Sequence, residues 1–253
     1  MKRPILIINL LLLALLASTP PSGAQNAKPQ AASVADGGLP TAEQESALVQ
    51  DADLDNGRTI AMGGAGVANA CFTCHGIDGA GAGISALPRL SGQSAFYLYK
   101  QLEDYAGGTR ENDVMGPIAK ALDDSEMKDV AAYYASLENI PYAPPPEADP
   151  FVLQHGGSLS AIGDAEREIE ACANCHGPGG IGTPPLFPYL AGQHAAYLEL
   201  QLLEWKRGRR GNDSLGVMEY IAERMTDEDI RAVALYFESV RPDHPEAQRD
   251  GRD

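Results

Sequence analysis

Two pentads, Cys71-Phe72-Thr73-Cys74-His75 and Cys172-Ala173-Asn174-Cys175-His176, hold the residues most able to do chemistry. A Cys-x-x-Cys pair sets two thiols one helical turn apart, and the following histidine brings an imidazole to the same place. This is the attachment signature of c-type haem: the thiols add to two vinyl groups and the imidazole ligates the iron from the proximal side. Two other uses of Cys-x-x-Cys compete. A single zinc held by all four cysteines would have to join pairs about 100 residues apart. A thioredoxin-like switch needs a strand before each pair. The added histidines, the recurrence and an export signal at the N-terminus favour two haems, with every cysteine consumed as a thioether.

The sixth iron ligand separates a carrier from a catalyst, because His/Met ligation closes the iron and raises its potential. Met115 and Met218 stand 40 and 42 residues after His75 and His176. They are the only methionine pair kept between the two halves, so both are expected to be axial ligands. Met62, Met127 and Met225 read as core filler. His155 and His244 read as solvated surface residues, and His194, matched by Ser94, has no ligand role shared between the halves.

These groups need elements to position them, and the chain supplies the elements twice. Pro88, Leu90, Gly92, Gln93, Tyr97, Leu98, Gln101 and Leu102 recur as Pro188, Leu190, Gly192, Gln193, Tyr197, Leu198, Gln201 and Leu202. Gly108-Thr109-Arg110 and Asn112-Asp113 recur as Gly208-Arg209-Arg210 and Asn212-Asp213, after which three extra residues enter the second half. Apolar spacing predicts a helix over Ser94 to Tyr105. Capping-box patterns at Asp123-Asp124-Ser125-Glu126 and Thr226-Asp227-Glu228-Asp229 open another helix in each half. The apolar stripe Met127, Val130, Tyr134 and Leu137 is matched by Ile230, Val233, Phe237 and Val240. With no alternating strand pattern, the fold class is all-α: two tandem domains, residues 51–140 and 151–243, joined by a stiff Pro-rich linker at 141–150. Domains of this size bury little surface, so a large cofactor would help build each core.

Around them lie a segment read as a cleaved signal peptide (1–24), an arm read as disordered (25–50) and a tail (244–253). Lys2 and Arg3, a 13-residue apolar run from Ile5 to Ala17, and the small residues before Gln25 make an export signal. A bilayer span needs ~20 apolar residues, so an anchor is the weaker reading. The formal charge of −16 becomes −18 once Lys2 and Arg3 are removed. That excludes nucleic acid and anionic lipid as natural partners and favours a basic docking face. Residues 51–140 carry −7 and residues 151–243 carry −6, so charge alone names neither domain as the entry for electrons. The basic run Lys206-Arg207-Gly208-Arg209-Arg210 reads as a docking spot, a propionate contact or a solvated helix end.

Over about three quarters of its length the chain resembles the cytochrome c4 family of tandem dihaem cytochromes. The resemblance runs from a glycine lead-in (Gly57 to Gly63, Gly157 to Gly163) through both Cys-x-x-Cys-His-Gly units, Pro-x-Leu-x-Gly-Gln, Tyr-x-x-x-Gln-Leu, Gly-x-Arg and the methionines to the last helix. It implies two cytochrome c folds packed face to face, each with one covalent haem c. It also implies that the carbonyls of Pro88 and Pro188 accept from the proximal imidazoles. Gln93, Tyr97 and Gln101, with Gln193, Tyr197 and Gln201, would lie near haem or its propionates.

The expected function is one-electron shuttling in the periplasm. The donor is a quinol-oxidising complex or a dehydrogenase, and the acceptor is a terminal oxidase or reductase. Contact with the membrane is expected only through partner complexes, and no catalytic residue is assigned. A haem subunit tightly bound to a periplasmic dehydrogenase is the first alternative. A dihaem enzyme of the peroxidase or thiosulfate dehydrogenase type, which needs one open iron, is the second.

Overall fold

The structure is a computed structural model and describes residues 41–242. The export signal, most of the 25–50 arm, His244 and the 244–253 tail lie outside the described residues. Among the described residues the chain is helical, with only isolated β-bridges, and no helix is long and apolar enough to cross a membrane.

The first repeat contains α2 (Leu54–Gly63), α3 (Phe72–His75), α4 (Ala95–Gly107), α5 (Met115–Lys120) and α6 (Asp124–Ala135), preceded by α1 (Ala42–Asp51). The second contains α7 (Pro150–Ile162), α8 (Cys172–His176), α9 (Ala195–Lys206), α10 (Val217–Arg224) and α11 (Asp227–Ser239). In each, the first and last long helices cross, and the middle one packs against the last. Both capping boxes form: Asp123 with Glu126, and Thr226 with Asp229. Ser94 caps α4 by accepting from the Tyr97 amide at 3.1 Å. Behind the caps, Met127, Val130 and Tyr134 are buried in one core, and Ile230, Val233 and Phe237 in the other.

The helix crossings sharpen the repeat register. A Cβ on Gly57 would stand 2.2 Å from the Asp129 carbonyl oxygen, and one on Gly156 would stand 2.1 Å from that of Ala232. Gly57 therefore corresponds to Gly156, and Gly64, the C-cap of α2, to Gly163, the C-cap of α7. The lead-in pairing of Gly57 with Gly157 is one residue out. The repeats restore their register in the next loop, where two residues separate the bridged Ala65 and Ala68 but four separate Asp164 and Ile169.

The end of the arm also departs from expectation. Residues 42–51 form α1, opened by a Thr41–Gln44 capping box and packed on α4 and α6. Its sequence shows no apolar period because Leu48 alone is buried. A carboxylate does the rest: Glu45 accepts from the Ser94 hydroxyl (3.0 Å) and from the Ala95 (3.0 Å) and Phe96 (3.1 Å) amides at the N-terminus of α4. Free N–H groups and the helix dipole favour an anion there.

The linker is extended up to Asp149, and Pro150 already forms the first turn of α7. It is pinned as well as stiff. Arg89 donates to the Ile140 (2.7 Å) and Pro141 (2.9 Å) carbonyls, and its guanidinium lies 4.6 Å from the centre of the Tyr142 ring. The Tyr142 hydroxyl meets that of Tyr189 at 3.1 Å. Gly192, at φ +66, leaves the space that Tyr142 fills: a Cβ there would stand 2.2 Å from the ring.

Candidate haem sites and the domain interface

Each Cys-x-x-Cys-His unit is a single helical turn, α3 or α8, whose first cysteine carbonyl accepts from the histidine amide in α3 at 2.9 Å. No two of the four cysteines pair as a disulfide. The histidine side chains are buried and held alike. The Nδ1 of His75 lies 3.1 Å from the Pro88 carbonyl oxygen, and that of His176 lies 2.9 Å from Pro188. A carbonyl only accepts, so Nδ1 carries the proton and Nε2 keeps its lone pair. Burial lowers both histidine pKa values despite these bonds, which keeps the rings neutral. The amides of Gly81 and Gly182 hold the carbonyls of His75 and His176 at 2.8 and 2.7 Å, fixing the loop behind each ring.

The rival uses of the cysteines do not fit this setting. Burial raises the Cys71 thiol above its usual value and pushes Cys172 up to about 11. A thiol–disulfide switch needs the opposite shift. Among the described residues no three His, Cys, Asp or Glu side chains gather as a metal-binding group, which removes the four-cysteine zinc arrangement.

Met115 and Met218 open α5 and α10. Each methionine amide is held by an Asx side chain a few residues before it: Met115 by Asn112 Oδ1 at 2.8 Å and Met218 by Asp213 Oδ2 at 2.7 Å. Asp213 also accepts from the Trp205 indole at 2.9 Å, which ties the second methionine turn to α9.

The domains meet through reciprocal contacts between equivalent residues. Gln93 donates to the Tyr189 carbonyl and accepts from its amide, both at 2.9 Å. Gln193 does the same with Arg89, at 2.9 and 2.8 Å. Deeper in, Arg110 and Arg210 lie across an antiparallel bridge and are 5% and 4% exposed. Arg110 donates to Gln101 (2.7 Å), Gln201 (2.6 Å) and the Tyr197 hydroxyl (3.2 Å). Arg210 donates to Gln201 (2.8 Å), Gln101 (3.3 Å) and the Tyr97 hydroxyl (3.3 Å). Their planes stack on Tyr105 and Trp205 at 4.6 and 3.8 Å.

Two buried guanidinium groups thus have only neutral acceptors among the described residues. Burial pushes the Tyr197 phenol up, but Arg110 and Arg210 outweigh it and bring its pKa below the usual value. The interface holds an electropositive cluster that suits carboxylates, and haem carries two propionates. The residues present therefore fit two haems: paired thiols, a neutral imidazole with a free Nε2, and a cationic seat for acids.

Several side chains differ from the sequence reading. The basic run is not an open docking spot: Lys206 pairs with Asp227 (2.7 Å), Arg209 pairs with Glu204, and Arg210 is the interface residue. His155 is half exposed, but its Nε2 donates to Asp229 Oδ1 at 2.7 Å, joining α7 to α11. His194 is buried between the domains, with Nε2 2.8 Å from the Ala80 carbonyl oxygen and Nδ1 3.6 Å from Glu238. Arg110 had no assigned role because its partners lie about 90 positions away. The recurrence of Arg110 as Arg210 was the available signal.

The comparisons agree with this geometry. The cytochrome c family model matches residues 60–138 and 167–241. A thiosulfate dehydrogenase electron acceptor from Stutzerimonas stutzeri is 45% identical, covering 74% of this chain and 86% of the relative. Cytochrome c4 from Thiocapsa roseopersicina is 38% identical over 67% of this chain and 86% of its own. Among solved structures, reduced cytochrome c4 from Pseudomonas stutzeri has a TM-score of 0.67 and 31% identity, covering 75% of this chain and 100% of its own. Thiosulfate dehydrogenase (TsdBA) from Marichromatium purpuratum has a TM-score of 0.68 and 36% identity; the match takes in 75% of this chain but only 40% of that longer one. This chain belongs to the cytochrome c family, as a cytochrome c4-like dihaem electron-transfer protein with two covalently bound haem c groups.

Proposed function

We propose that the protein is a periplasmic electron carrier that takes single electrons from a thiosulfate-oxidising dehydrogenase and passes them to a terminal oxidase or reductase. Cys71 and Cys74 hold one haem and Cys172 and Cys175 the other. His75 with Met115, and His176 with Met218, would ligate the two irons. Haem supplies the one-electron chemistry, as iron cycles between ferric and ferrous. The chain's own residues do the positioning. Pro88 and Pro188 fix the imidazoles, as outer hydrogen bonds do at metal sites generally. Arg110 and Arg210, with Gln101, Gln201, Tyr97 and Tyr197, hold the propionates between the domains, and Gln93 and Gln193 clasp the domains together. The carrier reading is supported by the relatives named electron acceptor and cytochrome c4.

The observation that carries this reading is the matched hold on His75 and His176, with a methionine turn kept in both copies. The donor assignment rests on two relatives, 45% and 42% identical, both named thiosulfate dehydrogenase electron acceptors. Joining two thiosulfates through a new S–S bond releases two electrons, which matches two haems. The test is to mix oxidised protein with thiosulfate dehydrogenase and thiosulfate in a stopped-flow instrument. Reduction of both haems is expected, and failure to reduce either sinks the donor assignment. A second reading, a haem subunit held permanently by its dehydrogenase, is favoured by the match to part of a longer thiosulfate dehydrogenase chain. Stoichiometric co-purification of a second subunit would support it.

A further inference from the structure

Two of the places where the copies differ in loop length adjoin the α10 helix of the second domain. The loop before Cys172 has four residues between its bridged ends, against two in the first copy. Counted back from the end of that bridge, Glu168 stands where the first copy has Val67. The other difference is Ser214-Leu215-Gly216, inserted ahead of Val217-Met218. The first loop reaches α10 at Tyr220, whose hydroxyl donates to Glu168 Oε2 at 3.0 Å, and the second leads directly into the same helix; the Arg224 guanidinium lies 3.4 Å from the centre of the Tyr220 ring and 3.5 Å from Glu168.

Leu215 is the most unusual residue of these two segments. It is 90% exposed and sits at φ +65, a left-handed conformation that costs a leucine ~1–2 kcal/mol. A strained apolar side chain held out in water is neither a packing nor a folding solution. Val217 and Tyr220, three residues apart on α10, are also exposed and extend the apolar knuckle beside the Met218 turn. Glu168, Glu219 and Glu223 bring negative charge to these two segments, offset in part by Arg224, which pairs with Glu168 at 3.5 Å. At the equivalent positions the first copy has Val67, Gly116 and Leu-free sequence ahead of Val114, with Pro117 in place of Tyr220. It carries Lys120 where the second copy has Glu223, so it has no acidic rim, and its exposed side chains, Val67 (92% exposed) and Val114, include no inserted left-handed leucine.

We propose that this knuckle is the surface on which the electron-delivering dehydrogenase docks, so that electrons enter at the second domain. The partner surface is a shallow apolar hollow beside its own redox centre, ringed by lysine and arginine. The acidic rim steers the encounter and Leu215 seats it. In the step itself one electron leaves the donor and one reaches the second-domain haem; no bond forms or breaks. The choice of donor rests on the function proposed above.

The test uses the full-length haem-loaded protein, oxidised and then mixed with thiosulfate dehydrogenase and thiosulfate. Leu215→Ser should lower the second-order reduction rate about tenfold, the loss of one well-seated apolar contact. Leu215→Asn, which tolerates the left-handed backbone, should do the same without disturbing the loop. Glu168→Gln with Glu223→Gln should flatten the fall of rate with ionic strength. Val67→Ser, on the first domain, should stay within about twofold of wild type, a difference too small for a docking contact. Reduction by ascorbate should match wild type in every variant. Equal rates for wild type and both Leu215 variants would overturn the proposal, as would a loss at Val67 as large as at Leu215. A wild-type protein that the dehydrogenase does not reduce overturns the donor assignment and this docking surface together.

Discussion

At the scale of single residues, the chemistry depends on groups whose state is set by their neighbours. Each proximal imidazole is neutral and oriented, because a proline carbonyl holds its Nδ1. The methionines are the more exposed part of the assignment. Met115→Ala and Met218→Ala should each remove one His/Met charge-transfer band from the near-infrared spectrum of the oxidised protein, with two haems still attached. An unchanged spectrum would remove that methionine from the ligand set. Asp229 offers a test of stability. Burial raises its pKa, but Arg167, the Thr226 cap and His155 outweigh that and hold the carboxyl well below its usual range. A depressed carboxylate pKa stabilises the fold above the unfolded value, ~4, and loses that contribution as pH falls towards the folded one. Asp229→Asn should cost about 2 kcal/mol at neutral pH, a figure reduced because its partners reach solvent. The gap from wild type should close as pH drops below ~4. Denaturant unfolding at pH 7 and pH 3 measures it, and a gap that widens in acid would refute the account.

At the scale of elements, α1 is held by one carboxylate and one leucine. Glu45→Ala leaves three donors at the start of α4 without their acceptor and should lower stability by ~1–2 kcal/mol, read as a drop in thermal midpoint. Glu45→Gln, which keeps one acceptor oxygen, should lose less. No change in either variant would show that α1 does not cap α4. The same element marks the limit of what the sequence discloses. Haem attachment, the capping boxes and the Met115/Met218 pair are legible because their signals are local or repeated. A helix with a single buried side chain has no period to read. Arg110 and Gln93 act on residues about 90 to 100 positions away, and no local pattern encodes which carbonyl a glutamine will reach. The glycine lead-in could be misaligned by one because Gly156 and Gly157 are adjacent; only the close crossing at Ala232 tells them apart.

At the scale of the molecule, the two glutamine clasps and the arginine cluster make the halves one body. Replacing both Gln93 and Gln193 with alanine removes four hydrogen bonds between domains. At ~1 kcal/mol each, that is enough to uncouple the domains. Calorimetry should then resolve two unfolding transitions in place of one, and electron exchange between the haems should slow. A single transition at the wild-type temperature would mean that the clasps contribute little.

The reciprocity of that interface bears on assembly as well as stability. Gln93 does to the second half what Gln193 does to the first, and Arg110 and Arg210 trade the same acceptors. A surface that pairs with its own copy is what a symmetric homodimer uses. Cytochrome c-554(548) from Halomonas halodenitrificans, 39% identical over 80 residues that make up 96% of its length, is a relative the size of one half. Here both halves of such a pair lie on one chain. The proline linker then replaces a meeting that depends on concentration with one that is always within reach. Two halves on one chain need not present matching outer faces, and these differ: the second carries Glu223 and Leu215 where the first has Lys120 and no insert.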